Sequence, residues 1–233
     1  MNQQLPIGKI FLASFAFVAL HWKKILEISL IPALICLPLL TIMPELMASA
    51  EKMFTGVLSE PVVLPANTGF YLILFSYGYI SLSINLYRLV VLGEQSVSIL
   101  PVSDLGKISR FIGLTLLIGF ISAIPLVSGN LAWLSLLVSF LLVPITLNFI
   151  NIAIATPLKY RWNLLFPTHM NLFFLQVIVP MLIVLLFTYL SQVLGLGSGL
   201  EWAARVLAFY WGSITLALCY QLINVNDTSA KSL

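Results

Sequence analysis

The stretch Leu172-Phe-Phe-Leu-Gln-Val-Ile-Val-Pro-Met-Leu-Ile-Val-Leu-Leu-Phe-Thr-Tyr-Leu-Ser-Gln-Val-Leu194 holds 23 residues and no charge. At 1.5 Å per residue a helix of this length reaches about 34 Å, enough to cross a hydrocarbon layer about 30 Å thick. Five further stretches share its character: 25–44, 67–92, 108–128, 131–158 and 203–224. Their lengths of 20, 26, 21, 28 and 22 residues all exceed the spanning minimum of about 17. The second and fourth of the six are long enough to tilt or to project beyond the hydrocarbon. The rest of the chain agrees, with 61% hydrophobic and 8% charged residues among 233. Soluble domains average about 45–50% and about 25%. So few charges cannot cover a water-soluble globule, which excludes a soluble enzyme, a disordered chain and a nucleic-acid reader. The pattern predicts an all-α polytopic membrane protein: one domain, 1–233, of six transmembrane helices, with membrane lipids as partners and no nucleic acid.

Ahead of the first span, Ile10 to Leu20 is apolar but only eleven residues long, about 16 Å as a helix. It cannot span. It is followed by His21-Trp-Lys-Lys24 and not by a small-residue cleavage pattern. Residues 6–22 are therefore expected to form a helix in the cytosolic interface, opened by Pro6 and anchored by Lys9, Trp22, Lys23 and Lys24. With the N-terminus inside, the cytosolic segments hold Lys9, Lys23, Lys24, Arg88, Lys107, Arg110, Lys159, Arg161 and Lys231, against Lys52 and Arg205 outside. Basic residues retained on the cytosolic side set orientation, so both termini are expected in the cytosol.

On the external side, Met43, Leu46, Met47, Ala50, Met53 and Phe54 recur at helical spacing, which predicts a short amphipathic helix over 45–54. A tight turn at Ser128-Gly129-Asn130 makes spans three and four an antiparallel hairpin, and the connection 195–202 is short and glycine-rich. Cys36 and Cys219 fall at different depths, too far apart for a disulfide.

Motifs that carry chemistry are scarce. His21 and His169 have no carboxylate or cysteine at metal-ligand spacing, and HExxH, Cys-x-x-Cys and a P-loop are all absent. In Gly195-Leu-Gly-Ser-Gly199 the serine stands one place too late for a nucleophile elbow. No catalytic residue, metal or cofactor is assigned, although Glu94 and His169 would be the first residues to test for an activity. What remains is a polar layer inside the spans: Asn85, Arg88, Asn148, Asn151 and Gln176. Counted from the cytosolic ends these lie about 6 to 15 Å deep. Asn85 and Arg88 are separated by i, i+3, as are Asn148 and Asn151, so each pair shares a helix face. Polar groups in lipid turn to the bundle interior. Two readings follow: hydrogen bonds between helices, or a ligand-binding cavity open to the cytosol with Arg88 facing an anion. Prolines at 32, 38, 125, 144 and 180 interrupt the spans and are expected to kink them.

The opening Gly8-Lys-Ile-Phe-Leu-Ala-Ser-Phe, the His21-Trp-Lys-Lys leading to Leu30-Ile-Pro-Ala-Leu, and the exit Asn85-Leu-Tyr-Arg-Leu-Val-Val-Leu-Gly-Glu94 resemble a group of bacterial six-helix inner-membrane proteins. That group comprises the YciC-like proteins and the membrane domain joined to some glycerophosphoryl diester phosphodiesterases. The resemblance implies a six-helix bundle in the bacterial inner membrane. The soluble phosphodiesterase domain has no counterpart here, so its activity is not implied. The expected function is a non-catalytic membrane subunit or scaffold, with a protein partner or further copies of itself. The alternative is a lipid-binding or small-molecule transport protein using the polar layer.

Overall fold

The computed structural model describes residues 5–55, 64–127, 132–159, 161, 164–195 and 198–231. The expected turn at 128–130 lies outside the described residues. The elements are α1 (Ile7–Thr55), α2 (Thr68–Leu92), α3 (Leu105–Val127), α4 (Ala132–Thr146), α5 (Asn148–Ala153), α6 (Phe166–Phe173), α7 (Val179–Leu194) and α8 (Ser198–Lys231). No strand occurs among the described residues. Among the described residues six runs are long and apolar enough to cross a membrane: Ile7–Ser49, Thr68–Leu92, Leu105–Pro125, Trp133–Ala153, Phe166–Leu194 and Gly199–Asn224.

Of the three expected pieces, the first span and the external helix are continuous in α1, whereas the N-terminal stretch is set off from them by a break. The break is at His21 (φ −109°, ψ 15°). There the imidazole Nδ1 lies 2.7 Å from Glu94 Oε1 and the ring rests on Phe17, 4.5 Å between centroids. Before the break, Phe11 and Phe15 pack on Trp211 of α8 at 4.7 and 4.9 Å, and the Ser14 hydroxyl meets that of Thr215 at 3.1 Å. Asn171 Nδ2 donates to the Leu5 carbonyl at 2.8 Å. Residues 7–20 thus dock on α8, with Leu12 and Leu20 left outward. After the break, the Tyr210 hydroxyl reaches Ser29 Oγ at 2.7 Å, and Ser29 donates to the Ile25 carbonyl. Each half of α1 has its own seat on α8, and the bend lets both be filled.

Two prolines shape the second half of the chain. Pro180 has no N–H for the Gln176 carbonyl, and its ring crowds that carbonyl. The chain answers with a π turn over Phe174–Ile178, which joins α6 to α7. The fifth run therefore begins at Phe166, earlier than the expected 172. Pro144 likewise leaves the Phe140 carbonyl without its i+4 donor. His169 Nε2 supplies the missing bond at 2.7 Å, its ring stacked on Phe140 at 4.1 Å and 4°. Since a carbonyl only accepts, Nε2 carries the proton. Leu147 then separates α4 from α5, and helix ends at Ala153, short of the expected 158.

α1 and α2 form the most extensive helix pairing. It depends on Gly78, where a Cβ would stand 2.8 Å from both the Pro32 carbonyl oxygen and Cys36 Sγ. Both cysteines are free. The core lies where α2, α4, α5 and α8 meet, around Ile84, Leu86, Leu147, Ile150 and Ile214. Burial divides the bundle into inner and outer helices: the most apolar part of Trp133–Ala153 is 61% buried, whereas that of Leu105–Pro125 is 17% buried. The outward surface of α3 and α7 is a field of Leu, Ile and Phe, including Leu116, Phe120, Leu182 and Leu186. A water-soluble monomer rarely exposes so much contiguous apolar surface.

Candidate functional site

The polar residues concentrate at the end of the bundle where α5 stops. Helix α5 closes with the N–H of Thr156 bonded to the Asn151 carbonyl at 2.8 Å and that of Ala155 to Ile152 at 3.2 Å. Ala155 takes the left-handed conformation (φ 58°) that such a Schellman closure requires. The turn holds residues 156–159 back against the helix. There the Lys159 N–H donates to Asn148 Oδ1 at 2.9 Å.

Within this end the two asparagines form one network. Asn151 Nδ2 donates to Asn148 Oδ1 at 2.8 Å, and Asn151 Oδ1 accepts from the Tyr220 hydroxyl at 2.6 Å and from Thr156 Oγ1 at 3.0 Å. Both asparagines are buried, 1% exposed. The other three residues of the expected layer have separate surroundings. Asn85 is buried and reaches the Ser98 carbonyl at 3.4 Å. It continues a ladder on α2 in which the Tyr77 hydroxyl donates to the Val102 carbonyl and Ser81 Oγ accepts the Val102 N–H at 2.8 Å. That ladder, at i, i+4 and i+8, ties the loop 97–102 to the helix. Gln176 Nε2 donates to the Gly212 carbonyl at 3.2 Å. The backbone carbonyl of Arg88 accepts from Ser96 Oγ at 3.1 Å, while its half-buried guanidinium meets no partner among the described residues.

Two features of this end were not singled out in the sequence. Arg161 is buried (8% exposed), lies over the Tyr220 ring at 5.2 Å and donates from Nη2 to Asn224 Oδ1. Its Nε and Nη1 have no hydrogen-bond partner among the described residues. The sequence showed it only as one of many cytosolic cations. The second feature is a cavity of about 260 Å³ between the start of α3 and the α5 closure, lined by Asp104, Lys107, Arg110, Asn151, Thr156 and Leu158 among others. Asp104 opens α3: its Oδ1 accepts the Lys107 N–H at 3.1 Å, and Oδ2 lies 3.3 Å from the Lys107 ammonium. The backbone N–H of Lys107, above all, holds the exposed Asp104 carboxyl below the ordinary aspartate range.

Comparison with protein-family models, with curated proteins and with solved structures finds no match to this chain. The site must therefore be read from its own chemistry. Among the described residues no group of three His, Cys, Asp or Glu side chains converges as a metal site would. His21 is engaged with Glu94 and His169 with the Phe140 carbonyl. What the arrangement offers is hydrogen-bonded closure on one side of Asn151 and a cationic recess on the other.

Proposed function

We propose that this chain is a multi-pass protein of the bacterial inner membrane, with both termini in the cytosol, serving as a non-catalytic membrane subunit or scaffold. The observation that carries this reading is the use made of the polar layer. Asn148, Asn151 and Tyr220 bond across α5 and α8, and Gln176 bonds to α8 through Gly212. Such contacts in an apolar medium each contribute about 0.6–2 kcal/mol and fix which faces look inward. The faces turned outward on α3 and α7 are left to lipid or to a second membrane protein. The cytosolic orientation rests on the nine-to-two division of Lys and Arg, and the compartment on the resemblance to the YciC-like group.

Purification of the tagged chain from its native membrane in mild detergent tests the subunit reading. A protein recovered at fixed stoichiometry supports it, and a chain that elutes alone overturns it. Orientation is checked with reporters fused to each terminus. Both are expected to be active only in the cytosolic format, and periplasmic activity of either fusion would reverse the threading.

A second reading, a lipid-binding protein, is favoured by the cavity beside Lys107 and Arg110. Retention of a small mass in native mass spectrometry supports it.

A further inference from the structure

Lys107 and Arg110 stand one turn apart at the start of α3 and line the same cavity of about 260 Å³. The opposite wall carries no charged group. Asn151 Nδ2 gives one of its two hydrogens to Asn148, and the hydroxyl proton of Thr156 points to Asn151 Oδ1. The charged donors are the Arg110 guanidinium, which has no partner among the described residues, and the Lys107 ammonium. One side of that ammonium faces Asp104 at 3.3 Å. The two cationic donors make the recess suited to an anionic acceptor. With two cations and one carboxylate on the wall, the recess has a net charge of +1. A phosphodiester, with one negative charge and no proton to place, matches this balance. A phosphomonoester brings about −1.5 to −2 charges and does not.

The surroundings extend the argument from headgroup to chains. Arg110, Gly113, Leu117 and Phe120 follow at i, i+3, i+7 and i+10, so they share one face of α3. Leu117 is 47% and Phe120 73% exposed, and, the helix's own backbone aside, no atom of the described residues lies within 4 Å of where a Cβ on Gly113 would stand. A charged recess thus opens onto an apolar strip with a shallow dip beside the arginine. We propose that this cavity seats the phosphodiester headgroup of an anionic phospholipid on Lys107 and Arg110, with its acyl chain lying along Gly113, Leu117 and Phe120. The proposal deepens the lipid-binding reading above and rests on it.

The test is native mass spectrometry of the full chain in detergent, titrated with phosphatidylglycerol, with phosphatidylcholine, or with inorganic phosphate as competitor. The wild type is expected to prefer phosphatidylglycerol, and Lys107→Gln/Arg110→Gln is expected to weaken that lipid about 10- to 30-fold. Arg205→Gln, a charge removed at the far end of α8, is expected to leave it unchanged. Equal affinity of wild type and double variant for phosphatidylglycerol would overturn the site while leaving lipid binding standing. Failure to retain either lipid would overturn the lipid-binding reading as well. Displacement of phosphatidylglycerol by equimolar inorganic phosphate would make free phosphate the ligand and overturn the phospholipid. Circular dichroism checks the fold. If the double variant is unfolded, Asp104→Asn decides instead: it retains an N-cap residue and removes the opposing charge, so it is expected to tighten phosphatidylglycerol about threefold or more. No tightening would count against the proposal.

Discussion

Single atoms decide several of the contacts that hold this bundle. At Gly78 a methyl group would enter space held by the Pro32 carbonyl and Cys36 Sγ at 2.8 Å. Gly78→Val is therefore expected to destabilise the α1–α2 pairing by about 1–3 kcal/mol, through overpacking. Gly113→Ala meets nothing within 4 Å and is expected to be neutral or to stabilise α3 by up to about 1 kcal/mol. Thermal unfolding of both variants in one detergent separates crowding from helix propensity. His169 repairs a bond that Pro144 removes, so His169→Leu is expected to cost about 1–3 kcal/mol by leaving the Phe140 carbonyl unpaired. His169→Gln retains a donor and should lose less, and equal losses would refute the repair. Ala155 holds a left-handed conformation (φ 58°) that an L side chain resists by about 1–2 kcal/mol. Ala155→Gly is accordingly expected to raise the melting temperature. None of these roles was legible in the sequence, because each depends on which distant group arrives beside the residue.

Among the elements, the strongest contrast between sequence and structure lies in α1. Its hydropathy divides into an eleven-residue apolar run, a basic cluster and a span, and each part is helical as expected. The seat of the first part was not legible: Phe11, Phe15 and Ser14 dock on Trp211 and Thr215 of α8. Trp211→Ala removes the ring that both phenylalanines touch. Residues 7–20 are expected to show faster amide hydrogen exchange in that variant while α2 and α4 remain protected. Exchange unchanged from wild type would mean that the segment is held by other contacts. Proline positions announced irregularity in α4 and in the α6–α7 run, yet only the packed chain shows how each is resolved. At Pro144 a histidine from another helix fills the gap, whereas at Pro180 the backbone widens into a π turn.

At the scale of the whole molecule the helices sort by burial, with α4–α5 and α8 inside and α3 and α7 outside. The expected polar layer divides accordingly. Asn148 and Asn151 join Tyr220 in the core, Asn85 holds a loop, and Gln176 braces α7 against α8. Spacing alone placed Asn148 with Asn151, and Asn85 with Arg88, on one helix face each, but i, i+3 spacing says nothing about which helix that face meets. The cavity at Lys107 and Arg110 arises only because the α5 closure brings Thr156 and Leu158 over the start of α3.

The sequence by itself determined that this chain is helical, how many long apolar runs it has and where its cations cluster. Those properties follow from local composition and from the number of residues needed to cross about 30 Å. The tertiary structure alone decided which polar groups spend their hydrogen bonds on one another and which cations remain unpaired. Pairing is a property of groups far apart in the chain: Asn151 and Tyr220 are separated by 69 residues and Ser14 and Thr215 by 201. No local pattern encodes such meetings; they are fixed only when the helices pack.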